Sequence, residues 1–389
     1  MPKQENLQMA KKYKNDEFYT QYNDIQSEIN AYLEYDPDTF KDKTVLLPCD
    51  DPEWSNFTRY FAQNFERLGL KKLISTSFAV DSKPSGAFYQ PTIYEMSDVQ
   101  YDEVKTRKQG KIFTLTRRNK KVDINDLKWK YLDGDGDFRS DEVKSLRDEA
   151  DIIVTNPPFS LFREFVAWIM EANKNFLIIG NVNCITYKEI FPLIINNQIW
   201  CGCRFNKRVN GRNMMFSVPD NYPSTGTEIY IENGKRYISV AGTGWFTNLD
   251  HGRRHQPLQL MTMDDNLKFS KHKEIREQGY PKYDNYDAIE VKYTDAIPSD
   301  YDGVMGVPIT FLDKFNPNQF EILGADCYEK TPPTKTYSNK VKVKDGKRMK
   351  SLTGTMGCVI RTESFGSGTY FDVGYPVKAV YKRIFIRKK

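Results

Sequence analysis

Histidine, cysteine and long apolar runs are all scarce in this chain of 389 residues. It contains three His and six Cys, and its mean hydropathy is −0.65. No apolar run reaches about 18 residues, so we expect no membrane-spanning helix. The first residues, 1–14, are polar and Lys-rich, which argues against a secretory signal. Scattered cysteines without a paired framework are typical of free thiols, and we expect a cytoplasmic protein.

Metal-binding patterns are also incomplete. Cys201-Gly-Cys203 and His251-x3-His255 have metal-like spacings, but the few scattered His and Cys give no closed tetrahedral zinc set. The acidic run 133–137 begins like a calcium loop, yet Lys144 stands at the twelfth position, where such a loop needs Glu. The sequence therefore predicts no metal site.

What the chain does contain is aromatic and unevenly charged. Aromatic residues make up 14% and hydrophobic residues 39%, which excludes a chain disordered throughout. The length predicts two or three domains. The net charge is +5, but residues 331–389 hold 14 Lys+Arg against 3 Asp+Glu, a local +11, which leaves −6 for residues 1–330. Such a basic part suggests a polyanionic partner, although a solvated basic surface would show the same charges.

Apolar runs and helical spacings alternate through the first 250 residues, which predicts an α/β fold with a mostly parallel sheet. We predict a helical arm over 1–40, a domain over 41–250 with an insertion at about 81–130, and a basic recognition region over 251–389. The predicted helices are 24–35, 55–68, 140–150, 161–172 and 189–196. The predicted strands of the sheet are 44–48, 72–78, 151–155, 176–180, 200–203, 214–218 and 236–240, with a further strand at 111–116 inside the insertion.

The strongest chemical signal is Asn156-Pro157-Pro158-Phe159, directly after an apolar strand. The prolines fix the backbone, remove two N–H donors and hold Asn156 in an extended conformation. The carboxyl edge of such a sheet is where ligands bind. The Asn156 side-chain oxygen and the Pro157 carbonyl can accept both hydrogens of a planar amine, drawing its lone pair out of conjugation so that the nitrogen can attack a methyl sulfonium.

Phe159 can stack on the base that carries this amine, a contact worth roughly 1–3 kcal/mol. The other interpretation is purely structural. The four residues would then form a strand-ending turn whose Phe is buried in the core.

Several ordered blocks accompany this turn. They are Asp16-Glu17-Phe18-Tyr19-Thr20-Gln21-Tyr22, Cys49-Asp50-Asp51-Pro52 with Ser55-Asn56-Phe57, Gly136-Asp137-Phe138-Arg139-Ser140, Asp151-Ile152-Ile153-Val154-Thr155-Asn156-Pro157-Pro158-Phe159-Ser160, Phe176-Leu177-Ile178-Ile179-Gly180-Asn181, Trp245-Phe246-Thr247-Asn248-Leu249-Asp250 and Gly306-Val307-Pro308-Ile309-Thr310-Phe311. Together they cover residues 16 to about 325. In this order the chain resembles the EcoRI-type adenine-specific DNA methyltransferases, with the γ arrangement of amino-methyltransferase motifs.

The resemblance implies a doubly wound, mostly parallel sheet of the seven-stranded methyltransferase type and a carboxyl-terminal target-recognition region. It implies methyl transfer from S-adenosyl-L-methionine to the N6 amine of an adenine in double-stranded DNA. Asn156, Pro157 and Phe159 match its catalytic positions. An adenine inside the duplex must first be flipped out at a cost of a few kcal/mol. The resemblance also implies a monomer and leaves open a cognate restriction endonuclease that shares the target site.

Cofactor residues follow from the same blocks. Phe18, Tyr19 and Thr20 match a segment that packs against the methionine end of the cofactor. Asp137 and Phe138 match a carboxylate that accepts the cofactor's adenine amine and a ring that packs beside it. Asp137 can equally be a turn acid within 133–137.

The loop after the first strand departs from the superfamily, because Cys49-Asp50-Asp51-Pro52 has no glycine. Asp50 or Asp51 can meet the cofactor's ammonium group, or can cap the helix that follows. No acid ends the second strand, so the ribose-binding carboxylate is unassigned. Asp81 is a weak candidate for it.

Basic residues near the carboxyl terminus fit the nucleic-acid expectation. Lys340, Lys342 and Lys344 alternate as on a strand with one basic face, and Lys347, Arg348 and Lys350 extend it. They would bind phosphates. Arg253, Arg254 and Arg361 are candidate base readers. The rival interpretations are an RNA or protein-glutamine methyltransferase that uses the same turn, and a DNA-binding protein without catalysis.

Overall fold

The computed structural model describes residues 19–53, 55–82, 96–117, 129–205, 214–218, 229–232, 234–239, 242–326, 331–351, 356–362 and 368–389. The chain forms two compact units that alternate along the sequence. The first unit contains residues 1–184 and 199–252, and the second contains residues 185–198 and 253–389. Among the described residues, no helix combines the length and the apolar character that crossing a membrane would take.

A large sheet forms the centre of the first unit. Among the described residues its eight strands are β2 (Thr44–Leu47), β3 (Lys72–Thr76), β4 (Lys111–Thr116), β5 (Lys130–Tyr131), β6 (Ile152–Thr155), β7 (Asn175–Asn181), β8 (Trp200–Cys201) and β12 (Thr243–Thr247). They lie in the order β5-β4-β3-β2-β6-β7-β12-β8. The four middle strands are parallel, and the outer strands are antiparallel to their neighbours. The predicted mixed α/β fold with a large central sheet is thus confirmed.

The strand order reverses between β2 and β6 in this sheet. The chain runs from β2 outward to β5, returns to β6 beside β2, continues through β7 to β8 at the opposite edge, and finally places β12 between β7 and β8. The middle strands are buried along nearly their whole length, as expected for parallel strands with both faces covered. The crevice at a reversal of strand order is where open α/β sheets bind their ligands.

Five helices are described in the first unit. They are α1 (Tyr22–Tyr35), α2 (Asn56–Gln63), α3 (Glu103–Lys108), α4 (Asp141–Glu149) and α5 (Phe162–Glu171). Ser55 and Ser140 begin α2 and α4 by accepting backbone N–H bonds with their hydroxyls, as helix-capping serines do. A Cβ atom on Gly180 of β7 would lie 2.4 Å from the Phe162 ring. Glycine at this position therefore lets the first residue of α5 pack directly on the strand.

Three sequence predictions for this unit are wrong in detail. The helix predicted over 55–68 ends at Gln63, although its apolar spacing continues through Phe65 and Leu68. Residues 111–116 form β4 of the central sheet rather than part of an insertion. The strands near 214–218 and 236–240 do not join that sheet.

The strands near 214–218 and 236–240 belong instead to a second sheet of the first unit. Its strands are β1 (Tyr19–Thr20), β9 (Met215–Val218), β10 (Ile229–Glu232) and β11 (Lys235–Ser239). They lie in the order β1-β9-β11-β10, and each strand is antiparallel to its neighbours. In β9, buried side chains alternate with partly buried ones, the pattern of a strand with one covered face. Such alternation marks a strand but does not say which sheet it joins.

The second unit has three short helices and two sheets among its described residues. The helices are α6 (Phe191–Ile195), α7 (Met263–Phe269) and α8 (Lys273–Gln278). One sheet has the order β13 (Ile289–Glu290), β14 (Met305–Pro308), β21 (Arg383–Lys388) and β15 (Phe320–Ala325). The other has the order β17 (Lys347–Ser351), β16 (Val341–Lys344), β19 (Thr369–Asp372), β20 (Pro376–Ala379) and β18 (Val359–Arg361).

Candidate active site and basic surface

Strand β6 ends in the Asn156-Pro157-Pro158-Phe159 turn, at the edge where the strand order reverses. Pro157 is buried, while Asn156 and Phe159 are half-buried, and Phe159 packs against the main core of the unit. The backbone then tightens into a short 3₁₀ turn, closed by the Leu161 N–H, which donates to the Pro158 carbonyl at 2.9 Å. The turn therefore holds Asn156 and Phe159 where a ligand of the sheet would lie.

Asp50 joins the two strands on either side of this reversal. Its carboxylate accepts the Ser55 hydroxyl and the Thr155 hydroxyl, each at 2.6 Å, so it bridges the ends of β2 and β6. The side chain is buried. Burial raises the pKa of Asp50 to about 7, against the two hydroxyl hydrogen bonds, which lower it. One oxygen meets the end of β6 and the other meets the residue that begins α2, so the geometry makes Asp50 a brace for the loop.

Asp51 shapes the same loop through local bonds. Its carboxylate accepts the Glu53 N–H at 2.9 Å, and its carbonyl accepts the Ser55 N–H at 3.0 Å. The alternative in which Asp50 or Asp51 caps the following helix is not what the structure shows, since Ser55 is the capping residue. The Asp51 side chain is half-buried at the carboxyl end of β2.

An acid that the sequence did not point to lies at the end of β3. The Lys111 ammonium is hydrogen-bonded to the Glu53 carboxylate, and it lies 4.5 Å from the centroid of the Trp129 ring. Lys111 is buried, and its carbonyl accepts the Ser77 N–H just beyond β3. Glu53 therefore lies near the carboxyl end of β3, the strand end at which the sequence itself places no acid.

The weak candidate for the ribose-binding acid is placed differently. Asp81 pairs with Arg107 at 3.0 Å on a partly exposed surface. No sequence signal joins Glu53 to this strand end, because its partner Lys111 is distant along the chain. Glu53 is therefore a residue that sequence reasoning missed.

The loop over 133–137 packs on the end of β3. Gly136 has a φ of +81°, and an added Cβ atom would lie 2.1 Å from the Ser77 carbonyl oxygen, so this close approach requires glycine. The Ala79 N–H donates to the Asp135 carbonyl at 2.7 Å. These contacts bring Asp137 to the same edge of the sheet as Asp51 and Glu53.

Asp137 and Phe138 differ in their surroundings. The Asp137 carboxylate accepts three hydrogen bonds from the Arg139 guanidinium, at 2.9, 3.2 and 2.6 Å, and these bonds hold the pKa of Asp137 below its usual value. Phe138 is buried and packs edge-on against Phe165 and Trp168. Asp137 is thus half-buried at the sheet edge, whereas Phe138 belongs mainly to an aromatic cluster of the core.

The amino-terminal block reaches the same region. Phe18 lies outside the described residues, and Tyr19 is described only by its backbone, which pairs with Ser217. Thr20 is buried, and its carbonyl accepts the Asn56 side-chain amide at 2.8 Å. Since Asn56 is the first residue of α2, the block lies beside the loop that contains Asp50 and Asp51.

The Cys and His pairs with metal-like spacing serve other contacts. The Cys203 N–H donates to the buried Glu28 carboxylate at 2.7 Å, and the His251 ring is 2.9 Å from the Cys201 carbonyl oxygen. In the part of the chain that the structure describes, no group of three or more His, Cys, Asp or Glu residues could hold a metal ion.

The basic strand of the second unit has the predicted alternation. In β16, Val341 and Val343 are buried while Lys344 is exposed and Lys342 is half-buried. Lys340 precedes this strand. Lys347 and Arg348 are exposed in β17, and Arg348 pairs with Asp372 at 3.1 Å. The Lys350 side chain lies outside the described residues.

The three candidate base readers differ in exposure. Arg253 forms an ion pair with Asp313, with both side chains largely covered. Arg254 is buried and hydrogen-bonded to Asn197. The side chain of Arg361, in contrast, is 66% exposed at the end of β18. Arg361 is therefore the one of the three that a partner molecule can reach without repacking of the unit.

Comparisons with known proteins agree with one another. A family model described as "Adenine-specific methyltransferase EcoRI" matches residues 6–389. The type II methyltransferase M.EcoRI of Escherichia coli is 46% identical over 319 residues, which are 82% of this chain and 88% of the relative. The type II methyltransferase M.MpnI of Mycoplasma pneumoniae is 38% identical over 321 residues, and M.MgeORF184P of Mycoplasma genitalium is 37% identical over 322 residues, each covering 82% of this chain and 84% of the relative. No solved structure matches the chain.

Proposed function

The chain belongs to the family of EcoRI-type adenine-specific methyltransferases, and we propose that it transfers a methyl group from S-adenosyl-L-methionine to the N6 amine of adenine in duplex DNA. The observation that carries the proposal is the position of the Asn156-Pro157-Pro158-Phe159 turn. It stands at the carboxyl end of β6, beside the reversal of strand order. The seven-stranded, doubly wound type of methyltransferase core is part of this proposal.

The turn provides acceptors and a flat ring. The Asn156 side-chain oxygen and the Pro157 carbonyl accept the two hydrogens of the adenine amine, which localises the nitrogen lone pair for attack. Phe159, half-buried at the same edge, stacks on the flipped base. Neither proline has an N–H to compete for these acceptors.

The charges at the sheet edge suit a cationic methyl donor. S-adenosyl-L-methionine supplies a methyl group on a positively charged sulfur and also carries an ammonium group. Three half-buried carboxylates lie near the carboxyl ends of β2 and β3: that of Asp51, that of Glu53, which is paired with Lys111, and that of Asp137, which is paired with Arg139. We assign cofactor contacts to Asp51 and Asp137 and to the block Phe18-Tyr19-Thr20. Asp50 holds the loop, and Phe138 forms the wall behind Asp137.

The basic surface of the second unit is assigned to DNA. Lys340, Lys342, Lys344, Lys347, Arg348 and Lys350 would bind phosphates, so DNA affinity falls as salt concentration rises. Residues 1–40 would then form an arm that completes the cofactor site, residues 41–250 the catalytic domain and residues 251–389 the target-recognition region. We propose a cytoplasmic monomer, with a restriction endonuclease of the same target site as its functional counterpart.

The test is methyl transfer itself. The protein is incubated with labelled S-adenosyl-L-methionine and unmethylated genomic DNA, nucleosides are identified by mass spectrometry, and the modified positions are mapped. N6-methyladenine at one recurring short sequence is expected. Label that enters RNA or a polypeptide but not DNA would overturn the proposal in favour of one of the rival amino-methyltransferases.

A further inference from the structure

Four side chains surround the Asp284 carboxylate on the second unit and form a cluster with it. In this Asp284 cluster, Asp284 accepts hydrogen bonds from the Arg361 Nε at 2.6 Å, the Tyr337 hydroxyl at 2.6 Å, the Lys335 ammonium at 3.2 Å and the Tyr375 hydroxyl. The Asp284 side chain is 6% exposed, whereas that of Arg361 is mostly exposed. The carboxylate is thus an internal anchor, and the arginine is the part of the cluster that faces outward.

The cluster fixes the plane of the Arg361 guanidinium. Its central carbon lies 4.5 Å from the centroid of the Tyr375 ring, while Asp284 holds the Nε atom. Asp284 is itself held against β18, because its N–H donates to the Val359 carbonyl at 2.9 Å. The arginine is therefore set in place before any partner arrives, which lowers the entropy lost on binding.

Arg361 shares a sheet face with the basic strand. Residues directly opposed in antiparallel strands point to the same side. The row Lys342, Phe371, Val377 and Arg361 runs across β16, β19, β20 and β18. Lys344, two residues beyond Lys342, points to the same side. Three strand spacings separate Lys342 from Arg361, roughly 14 Å.

We propose that Arg361, oriented by Asp284, reads a guanine in the major groove of the target DNA, while Lys342 and Lys344 on the same sheet face bind phosphates. This inference rests on the proposed function, since it names a specificity-determining residue for that reaction. Guanine presents O6 and N7 as two adjacent acceptors, and the outer edge of a guanidinium presents two donors at matching spacing.

The carboxylate favours base reading over a simple phosphate contact. An arginine that only neutralises a phosphate gains nothing from a neighbouring Asp, whose negative charge repels the phosphate. A fixed orientation, in contrast, is what a bidentate hydrogen bond requires. Asp284 is on this account a positioning residue, and Arg361 is the residue that touches the base.

The decisive variant is Arg361→Lys, which keeps the positive charge but loses the planar fork. Binding and methylation are measured on the mapped target duplex and on duplexes in which each base pair is replaced in turn. The variant is expected to bind the target roughly 5- to 150-fold more weakly and to lose discrimination at one G·C pair only. Its dependence on salt concentration should remain that of the unsubstituted protein.

Two controls separate base reading from charge. Lys342→Ala is expected to weaken binding to every duplex equally and to reduce the salt slope by about 1. Arg117→Lys, the same substitution at an arginine of the first unit that pairs with Asp42, should change neither property. Uniform weakening by Arg361→Lys over all duplexes would show a phosphate contact and overturn the inference.

Asp284→Asn tests the positioning role. Asp284→Asn should reduce discrimination between base pairs at the same G·C position as Arg361→Lys does. At the other positions of the target, the ranking of the substituted duplexes should not change. If this variant does not fold, as judged by its thermal unfolding, the exposed Arg361→Lys variant still decides the question. A mapped target without any G·C pair, or unchanged ranking of the duplexes by Arg361→Lys, overturns this inference alone. A protein that methylates no DNA overturns it together with the proposed function.

Discussion

Asn156 is the side chain on which the proposed chemistry depends most directly. Replacing it with Ala removes one of the two acceptors for the adenine amine and leaves the strand and both prolines in place. We expect Asn156→Ala to lower kcat by roughly 10²–10³-fold, comparable to the loss of one preorganised hydrogen-bonding group elsewhere. Single-turnover methylation of the target duplex measures this directly.

The matched control is Asn175→Ala. Asn175 is exposed at the beginning of β7, the opposite end of the strand from the carboxyl edge. The Asn175→Ala variant should retain full activity. Both Asn156→Ala and Asn175→Ala should bind the cofactor and unfold like the unsubstituted protein. An Asn156→Ala variant with full activity would contradict the proposed role of the turn.

How much of the site the sequence could predict depends on how local each contact is. The Asn156 turn follows directly from an apolar strand and two prolines, so its position at the sheet edge could be predicted. The direction of the Asp50 carboxylate could not, because it is set by Thr155, which is distant in sequence. Glu53 was missed for the same reason, since only the fold brings Lys111 beside it.

Helix α1 is attached to the central sheet through a buried carboxylate. Glu28 on this helix is buried, and it accepts the backbone N–H groups of Cys203 and Arg204 at 2.7 and 2.8 Å, next to the end of β8. A carboxylate with two backbone donors ties the amino-terminal helix to the central sheet. Burial raises the pKa of Glu28 to about 7, although these hydrogen bonds lower it.

This shifted pKa predicts how Glu28→Gln changes stability with pH. Between the usual pKa of 4.5 and about 7, the folded protein keeps a proton that the unfolded chain releases. The stabilisation by Glu28 relative to Gln is therefore largest at low pH and falls as pH rises through this window, by at most about 1.4 kcal/mol per pH unit. Urea unfolding at pH 5, 6, 7 and 8 measures the difference.

Glu34→Gln, exposed on the last turn of the same helix, is the control and should show no such trend. Asp24, one turn before Glu28, also has a pKa raised by burial, to about 6, but it is present in all three proteins and its contribution largely cancels. A difference between the unsubstituted protein and Glu28→Gln that stays constant from pH 5 to 8 would refute the assignment.

Elements with a strong repeating pattern could be predicted, and their partners could not. The strands β2, β6 and β7 are continuous apolar runs, so both their existence and their burial followed from the sequence. The predicted helix over 55–68 is too long because Phe65 is apolar and buried although α2 ends at Gln63. For β9, the sheet it joins is set by its antiparallel partners β1 and β11, which no local pattern reveals.

On the scale of the whole chain, the division into two units predicts how the protein responds to ligands. A ligand stabilises the part of the protein that binds it, by about 2.7 kcal/mol at 100 times its Kd. Because the proposed cofactor residues all lie in the first unit, S-adenosyl-L-methionine should raise the melting temperature of one calorimetric transition and leave a second unchanged. A single transition that shifts as a whole would show that the units unfold together.

The charge imbalance could be predicted from the sequence, but the course of the chain through the two units could not. Residues 185–198 leave the first unit and belong to the second, between strands β7 and β8 of the central sheet. In this excursion, Asn197 bonds Arg254 within the second unit. Short apolar segments such as α6 show helical spacing, but the spacing does not tell which core they join.

This excursion has a consequence for how target specificity can be exchanged between related enzymes. A chimera made with a single crossover near residue 252 would take residues 253–389 of the second unit from one parent and residues 185–198 of the same unit from the other. The mismatched pair would include the contact between Asn197 and Arg254. An exchange that transfers the second unit whole, with its proposed recognition residues, must therefore carry two separate stretches of the gene.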